Sequence, residues 1–149
     1  MRNKICLLLF AFLILENCKD IQDKNTIVFS KYLATEFQIE IPDSLHYYIL
    51  FPKMMCKGCS INTLSELDTL IENKNRKYFT FIAANEKSIP VEFKKINALQ
   101  FKYDSYGKLD DLDMEIANIT IVKTKSNKVL FIKPINIDEK MSLSELIKF

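Results

Sequence analysis

Two short, dense runs of aromatic and β-branched residues constrain the fold of this chain most strongly. Residues 46–51 read HYYILF and residues 78–84 read YFTFIAA. Runs of this length and composition are typical of strands that are buried on both faces at the centre of a sheet. Between them, apolar residues recur at helical spacing over residues 61–71, which predicts an amphipathic helix. The three segments together predict a β-α-β unit.

The flanking segments extend this unit into an α/β fold. Helical spacing predicts a helix over residues 27–37, before the first strand, although residues 26–29 would equally suit a strand. Another helix is predicted over residues 90–99, after the second strand. Residues 100–103 have the pattern of a further short strand, and the β-branched runs within residues 119–135 predict a hairpin. A capping box in residues 142–147 predicts a short closing helix. The core order β-α-β-α-β-β-α predicts a mixed sheet with helices on both faces.

The N-terminal residues have the pattern of an export signal. A short basic stretch precedes an apolar run over residues 5–15, which is typical of a secretory signal and is shorter than the about 20 residues of a membrane-spanning helix. Leu15 lies three residues before Cys18, a spacing that resembles a lipoprotein signal, in which the Cys is lipidated and becomes the mature N-terminus. We therefore expect residues 1–17 to be a signal peptide and Cys18 to carry lipid. A signal peptide cleaved elsewhere, or a short uncleaved anchor, is the alternative.

This signal predicts an exported protein that is held at the cell membrane or the outer membrane through Cys18 and faces the periplasm. Residues 18–45 then form a lipidated tether and N-terminal segment, which begins with the polar residues 19–26. Residues 46–149 form the folded domain, which we expect to be a monomer.

Composition and charge exclude several function classes. The formal net charge is +2 and no block of like charges occurs, so nucleic acid is not an expected partner. The chain has only two glycines, Gly58 and Gly107, which are too few for a phosphate loop or a dinucleotide fingerprint. His46 is the single histidine, which excludes a His-rich zinc site. We expect no cofactor, and we expect His46 to be a surface residue rather than a base.

Two of the four cysteines remain as candidates for a functional pair. Cys6 leaves with the predicted signal and Cys18 carries lipid, so Cys56 and Cys59 supply the remaining thiols. Exported proteins live where disulfides form. A C-x-x-C disulfide closes too small a loop to stabilise a fold by constraining the unfolded chain. The pair is therefore predicted to be reactive or metal-binding.

The surroundings of this pair resemble a known family. A buried strand, a short loop, the CKGC segment at residues 56–59 and an amphipathic helix resemble the active-site unit of thioredoxin-like proteins. The hairpin and closing helix resemble the second half of that fold, so the similarity in element order spans residues 46–149. Together with the export signal, the chain most resembles membrane-anchored, extracytoplasmic thiol-disulfide oxidoreductases. The resemblance implies a protein client and a redox partner.

The spacing of the pair has a chemical rationale. Free N–H groups and the dipole at a helix N-terminus stabilise a thiolate, so Cys56 is the expected nucleophile. Cys59 lies three residues on and is expected to resolve the mixed disulfide. Lys57 adds positive charge beside Cys56. Thr63 and Glu66 form an alternative capping box, and a helix that begins there leaves both cysteines in the loop.

The chain departs from the family at three positions. Such proteins usually carry a cis-proline before the strand that leads into the hairpin, where it faces the cysteines. Here residues 117–119 read ANI, so we expect a trans loop with Asn118 in a supporting role. Leu50 stands where thioredoxins carry a buried acid, and Met55 replaces the tryptophan that often precedes the first cysteine.

Two alternatives remain open for the pair. Met54, Cys56 and Cys59 also resemble the M-x-C-x-x-C loop of small copper-binding domains with a βαββαβ fold, since thiolates bind soft Cu(I) well. A non-catalytic thioredoxin-like binding module is the other alternative.

A polar, acidic connection precedes the hairpin. Its carboxylates lack the spacing of a calcium-binding EF-hand loop, so we expect a solvated loop. These residues are Asp110, Asp111, Asp113 and Glu115.

Overall fold

A computed structural model describes residues 23–53, 76–89, 101–116 and 118–135. Within them, one helix, α1, covers residues 23–37, and five strands form one mixed sheet. The strands are β1 (His46–Phe51), β2 (Phe79–Ala83), β3 (Phe101–Tyr103), β4 (Thr120–Lys125) and β5 (Lys128–Pro134). Three short 3₁₀ helices are η1 (Arg76–Tyr78), η2 (Glu86–Ser88) and η3 (Lys108–Asp111).

The strands lie in the order β3-β2-β1-β4-β5, so β1 is central. It pairs in parallel with β2, and β2 pairs in parallel with β3. On its other side β1 pairs antiparallel with β4, which pairs antiparallel with β5. Ile49 illustrates the register, because it lies opposite Phe81 in β2 and Ile121 in β4. The predicted mixed sheet is confirmed.

Strand β1 is buried on both faces, as its composition predicts. Tyr47, Ile49 and Phe51 point to one face, and Tyr48 and Leu50 point to the other, because side chains alternate along a strand. Each of the five is at most 1% exposed. A strand covered on both sides has no polar face, which explains why HYYILF shows no alternation of polar and apolar residues.

Helix α1 covers one of these faces. Phe29, Tyr32 and Leu33 are buried at helical spacing and pack in one cluster with Tyr48 and Leu50. The rings of Phe29 and Tyr48 meet edge to face, with centroids 5.0 Å apart. The helix therefore contributes to the core of the sheet.

The helix predicted over residues 27–37 is confirmed, and it also includes residues 23–26, which the sequence pattern assigned to the polar tether. Thr26 accepts a hydrogen bond through Oγ1 from the backbone N–H of Val129 at 3.0 Å. This bond ties the helix to β5.

The predicted hairpin is confirmed as β4 and β5. Its two turn residues, Ser126 and Asn127, have φ values of 53° and 58°. Positive φ at both central residues is typical of the two-residue hairpin turn whose backbone twist matches the twist of the flanking strands.

Several predictions concern segments outside the described residues. They are the signal, the cysteine pair and the helices expected on the other face of the sheet. Within the described part of the chain, no helix is long and apolar enough to cross a membrane. The predicted segments that lie outside are residues 1–17, the CKGC segment at 56–59, and the helices at 61–71, 90–99 and 142–147.

Candidate functional site

The carboxyl ends of the three parallel strands meet at one edge of the sheet. Backbone bonds extend the strand contacts past the strand ends. The Ala84 N–H donates to the Phe51 carbonyl and the Asp104 N–H donates to the Ala83 carbonyl, both at 2.9 Å. The segments that follow β1, β2 and β3 therefore lie side by side.

The predicted cysteine pair follows β1 closely in sequence. Lys53 is the last described residue of this segment, and Cys56 comes three positions later. The predicted site residues outside the described part of the chain are Cys18, Met54, Cys56, Lys57 and Cys59.

The segment before β4 reaches the same end of β1. Leu50 lies opposite Thr120, and Asn118 is two residues before Thr120. No peptide bond in the described residues is cis, including the bond that joins Asn118 to Ile119, which confirms the expected trans geometry there. Asn118 has a φ of 55°, a left-handed conformation that asparagine tolerates better than most residues. Thr120 Oγ1 donates to its carbonyl at 3.5 Å.

The buried carboxylate at this edge is Asp104, which follows β3 and is 2% exposed. It accepts from the backbone N–H groups of Tyr106, at 3.1 Å, and of Leu109. It also accepts from the Tyr32 hydroxyl of α1 at 3.4 Å. Gly107 closes the turn with a φ of 69° and donates to the Asp104 carbonyl at 3.3 Å. Asp104 thus holds the loop between β3 and η3 in one shape.

Neither Asp104 nor its partner Tyr32 is predicted as a site residue by the sequence pattern. Burial, and then the charge of Asp104, raise the pKa of Tyr32, so its phenol stays protonated and remains a donor. An Asp followed by a glycine-containing turn is a local signal for such a capped loop. The contact with Tyr32 has no local signal, because the two residues are 72 positions apart.

The exposed acid that contacts the segment after β1 is Asp110 in η3. Its Oδ1 accepts a hydrogen bond from the backbone N–H of Lys53 at 2.8 Å. The four carboxylates predicted to be solvated, Asp110, Asp111, Asp113 and Glu115, are all exposed, although Asp110 and Asp111 lie in the 3₁₀ helix η3 rather than in a loop. The hydrogen bond that Asp110 accepts from Lys53 was not predicted.

A cleft of about 540 Å³ opens at this edge. Tyr103 and Tyr106 line it and are 46% and 80% exposed. Ligands of open α/β sheets bind beyond the carboxyl ends of the strands, which is where this cleft lies. Its lining residues are Lys53, Ala84, Asn85, Glu86, Tyr103, Asp104, Ser105, Tyr106 and Gly107.

His46 lies at the opposite end of β1, away from this edge. It is half-buried rather than a surface residue, and its Nε2 is 2.9 Å from Thr80 Oγ1. Burial lowers its pKa. Within the described residues, no group of three or more His, Cys, Asp or Glu side chains could hold a metal ion.

Compared with known proteins, the chain matches no family model, no curated protein and no solved structure. A proposal of function therefore depends on the chain's own residues and their geometry.

Proposed function

We propose that this protein is a thioredoxin-like, lipid-anchored extracytoplasmic protein that exchanges thiols and disulfides through Cys56 and Cys59. One observation carries the proposal. The strand that leads to Cys56 is the central strand, and it lies between a parallel neighbour and an antiparallel one. Next to such a strand the order in which the chain adds strands to the sheet changes direction. Open α/β sheets bind ligands at this position, beyond the carboxyl ends of the strands.

The direction of the connections supports a thioredoxin-like arrangement. The chain passes from β1 to β2 and from β2 to β3 in the same direction across the sheet. Because connections between parallel strands are right-handed as a rule, we expect both connections on the same face. Ile89 belongs to the second connection and packs in the cluster of Tyr47 and Ile49, on the face opposite α1. This position of Ile89 supports the proposal of helices on both faces.

The proposed reaction is a two-step exchange. The Cys56 thiolate attacks one sulfur of a client disulfide, which forms a mixed disulfide and releases one client thiolate. The Cys59 thiolate then attacks the Cys56 sulfur, which closes the Cys56–Cys59 disulfide and releases the second client thiolate. The client gains two electrons, and its two thiolates take up two protons. The reverse sequence oxidises a client dithiol, and a redox partner with its own dithiol or disulfide resets the pair.

The sheet order favours this proposal over a copper carrier. In a βαββαβ fold the β-α-β unit is split, with another strand between its two parallel strands. Here β1 and β2 are direct neighbours over five residue pairs, from Tyr47 with Phe79 to Phe51 with Ala83. The β4–β5 hairpin is also part of the same sheet, whereas a small copper-binding domain leaves that segment unexplained.

Trapping the mixed disulfide tests the exchange. The full chain carries C6S and C18S, so that Cys56 and Cys59 supply its only thiols. A further C59S change should accumulate a covalent adduct with a peptide disulfide, because the resolving thiol is missing. C56S should form no adduct and show no exchange. Full exchange by a chain with both C56S and C59S would overturn the proposal. A native pair without thiol reactivity favours the binding module, and 1:1 Cu(I) uptake that needs both cysteines favours the carrier.

Cell fractionation tests the anchor. Lipid on Cys18 would place the protein in the membrane fraction, and C18S should move it to the periplasmic fraction. C6S is the matched control, because Cys6 lies inside the predicted signal. A membrane fraction unchanged by C18S would exclude a lipid anchor at this residue.

A further inference from the structure

We propose that the outer edge of β3 binds an extended, acidic segment of a partner protein, which pairs with β3 as a further strand. This inference goes beyond the proposed exchange, because it uses none of the cysteines. Three features of the same short strand carry it. They are the direction of the Tyr103 backbone groups, a row of aromatic rings that ends at Tyr103, and the exposed charge of Lys102.

The backbone of β3 presents a donor and an acceptor on its outer side. In the described part of the chain β3 is the last strand of the sheet, with β2 as its neighbour. The Asp104 N–H donates to the Ala83 carbonyl of β2. Since the backbone groups of successive strand residues point to opposite sides, the N–H and C=O of Tyr103 point away from β2. Such an edge is a template for another extended chain.

Aromatic rings run across the sheet toward this edge. Phe81 in β2 lies opposite Phe101 in β3, and their ring centroids are 5.7 Å apart. The Phe101 ring is 6.5 Å from the ring of Tyr103, which is 46% exposed. Aromatic and β-branched residues stabilise sheets as cross-strand pairs. We therefore expect apolar, β-branched side chains on this face of the added strand.

The cleft at the end of β3 adds a second exposed ring, on a fixed turn. Tyr106 lines this cleft together with Tyr103 and is 80% exposed. Its backbone N–H donates to the buried Asp104 carboxylate at 3.1 Å, and Lys108 Nζ lies 5.6 Å from the centroid of its ring. A tyrosine held in this way gives contact area at a low cost in conformational entropy. It can cover a side chain of a segment that extends past Tyr103.

Charge at this edge selects the chemistry of the segment. Lys102 is the exposed middle residue of β3, and the exposed Lys53 lines the cleft. Neither lysine forms an ion pair within the described residues. Of the two carboxylates that line the cleft, Asp104 is buried among three donors and Glu86 has an interaction partner of its own. An acidic residue opposite Lys102 stabilises the pair, whereas a second copy of β3 brings like charges together.

A peptide of about six residues, the common length of a strand, tests this binding. Glutamate and valine alternate along it, so that glutamates lie on the face of Lys102 and valines on the face of Tyr103. A second peptide has lysine in place of glutamate. Both carry a fluorescent label, and their binding to the full chain carrying C6S and C18S is measured by fluorescence anisotropy. Neither peptide contains sulfur, so this inference and the proposed exchange can fail separately.

Charge reversal at Lys102 tests the choice of an acidic segment. K102E should weaken binding of the glutamate peptide by about three- to tenfold, the size of a cross-strand charge pair. It should also gain binding of the lysine peptide, which loss of the fold would not produce. K125E is the matched control, because Lys125 is an exposed strand residue near His46, at the other end of β1. It should bind both peptides as the parent chain does.

A separate comparison tests the backbone pairing. Y103A removes the ring and keeps the N–H, whereas Y103P removes both. Proline is tolerated on an edge strand where its nitrogen faces outward. We expect Y103P to bind the glutamate peptide about fivefold more weakly than Y103A, the size of one net hydrogen bond. N-methylation of the glutamates and of the valines should have unequal effects, because alternate N–H groups of the peptide face β3. Y106A should also weaken binding.

The opposite results overturn the proposal. They are a glutamate peptide that does not bind the parent chain, equal effects of K102E and K125E, and N-methylated peptides that both bind as well as the unmethylated one. Phosphatidylglycerol vesicles provide the remaining comparison. Vesicle binding that K102E abolishes, without any binding of the glutamate peptide, would show that this edge contacts an anionic lipid surface rather than a protein strand.

Discussion

Leu50 in β1 lies directly opposite Thr120, the first residue of β4. The hairpin therefore starts beside the end of the strand that leads to Cys56. The parallel and antiparallel halves of the sheet meet at this point. The described residues after β1, which end at Lys53, therefore lie between Asn118 on one side and the cleft on the other.

Truncation of Leu50 should destabilise the fold strongly. The side chain is fully buried in the central strand against α1, so L50A should lower the free energy of unfolding by about 2–5 kcal/mol. Leu130 in β5 is 40% exposed, and L130A is the matched control, with a much smaller expected loss. Urea denaturation measures both. Equal losses in the two variants would contradict this account of the core.

Protonation of His46 should destabilise the protein in mild acid. Burial lowers the folded-state pKa of His46 below its ordinary value of 6.5. The unfolded chain therefore takes up the proton first as the pH falls. The contribution of the neutral imidazole to the free energy of unfolding is fully present above about pH 6.5. It is lost as the pH falls toward the folded-state pKa, by at most about 1.4 kcal/mol per pH unit.

Denaturation at pH 7.5 and pH 5 measures this loss. H46Q should reduce the difference between the two values. T80V removes the hydroxyl beside His46 but keeps the imidazole, so it should retain the pH dependence. If H46Q and the parent chain lose the same stability in acid, His46 is not responsible.

Tyr48 should limit stability at alkaline pH. Burial raises the pKa of Tyr48 to about 12 from an ordinary value of 10.0. Above pH 10 the phenol proton of Tyr48 is lost first in the unfolded chain. The contribution of the protonated phenol to the free energy of unfolding is therefore present below pH 10 and is lost as the pH rises toward about 12. Y48F should therefore lose less stability than the parent chain between pH 9 and pH 11. An unchanged alkaline slope in Y48F would refute the assignment.

The Lys108–Glu36 ion pair should couple η3 to α1. The two charged groups are 2.5 Å apart, and the Glu36 side chain is only 3% exposed. K108M should be destabilising because it leaves this carboxylate without its partner. Adding E36Q should recover part of the loss. The exposed Lys24–Asp113 pair is the control, and K24M should change stability little. A double-mutant cycle without coupling between positions 36 and 108 would contradict this role.

The sequence predicts the elements of this fold better than the contacts between them. The strand pattern of residues 46–51 and the turn before Lys128 are local properties, and both predictions are confirmed. Helix α1 is predicted as well, but only from residue 27 onward. Its first residues, 23–26, are polar and have the same composition as the tether to which the sequence pattern assigned them. The contact between Tyr32 and Asp104, and that between Lys53 and Asp110, join distant positions. Neither has a local signal, because each depends on where the sheet brings its strand ends together.

The reduction potential of the Cys56–Cys59 pair tests the central claim most directly. The full chain carrying C6S and C18S is equilibrated in glutathione and dithiothreitol buffers, with and without a Cu(I) chelator. We predict a single two-electron transition at a potential between those of thioredoxin and the strong periplasmic oxidants, about −270 to −120 mV. A pair that never forms a disulfide, or forms one only when copper is removed, would contradict the exchange function.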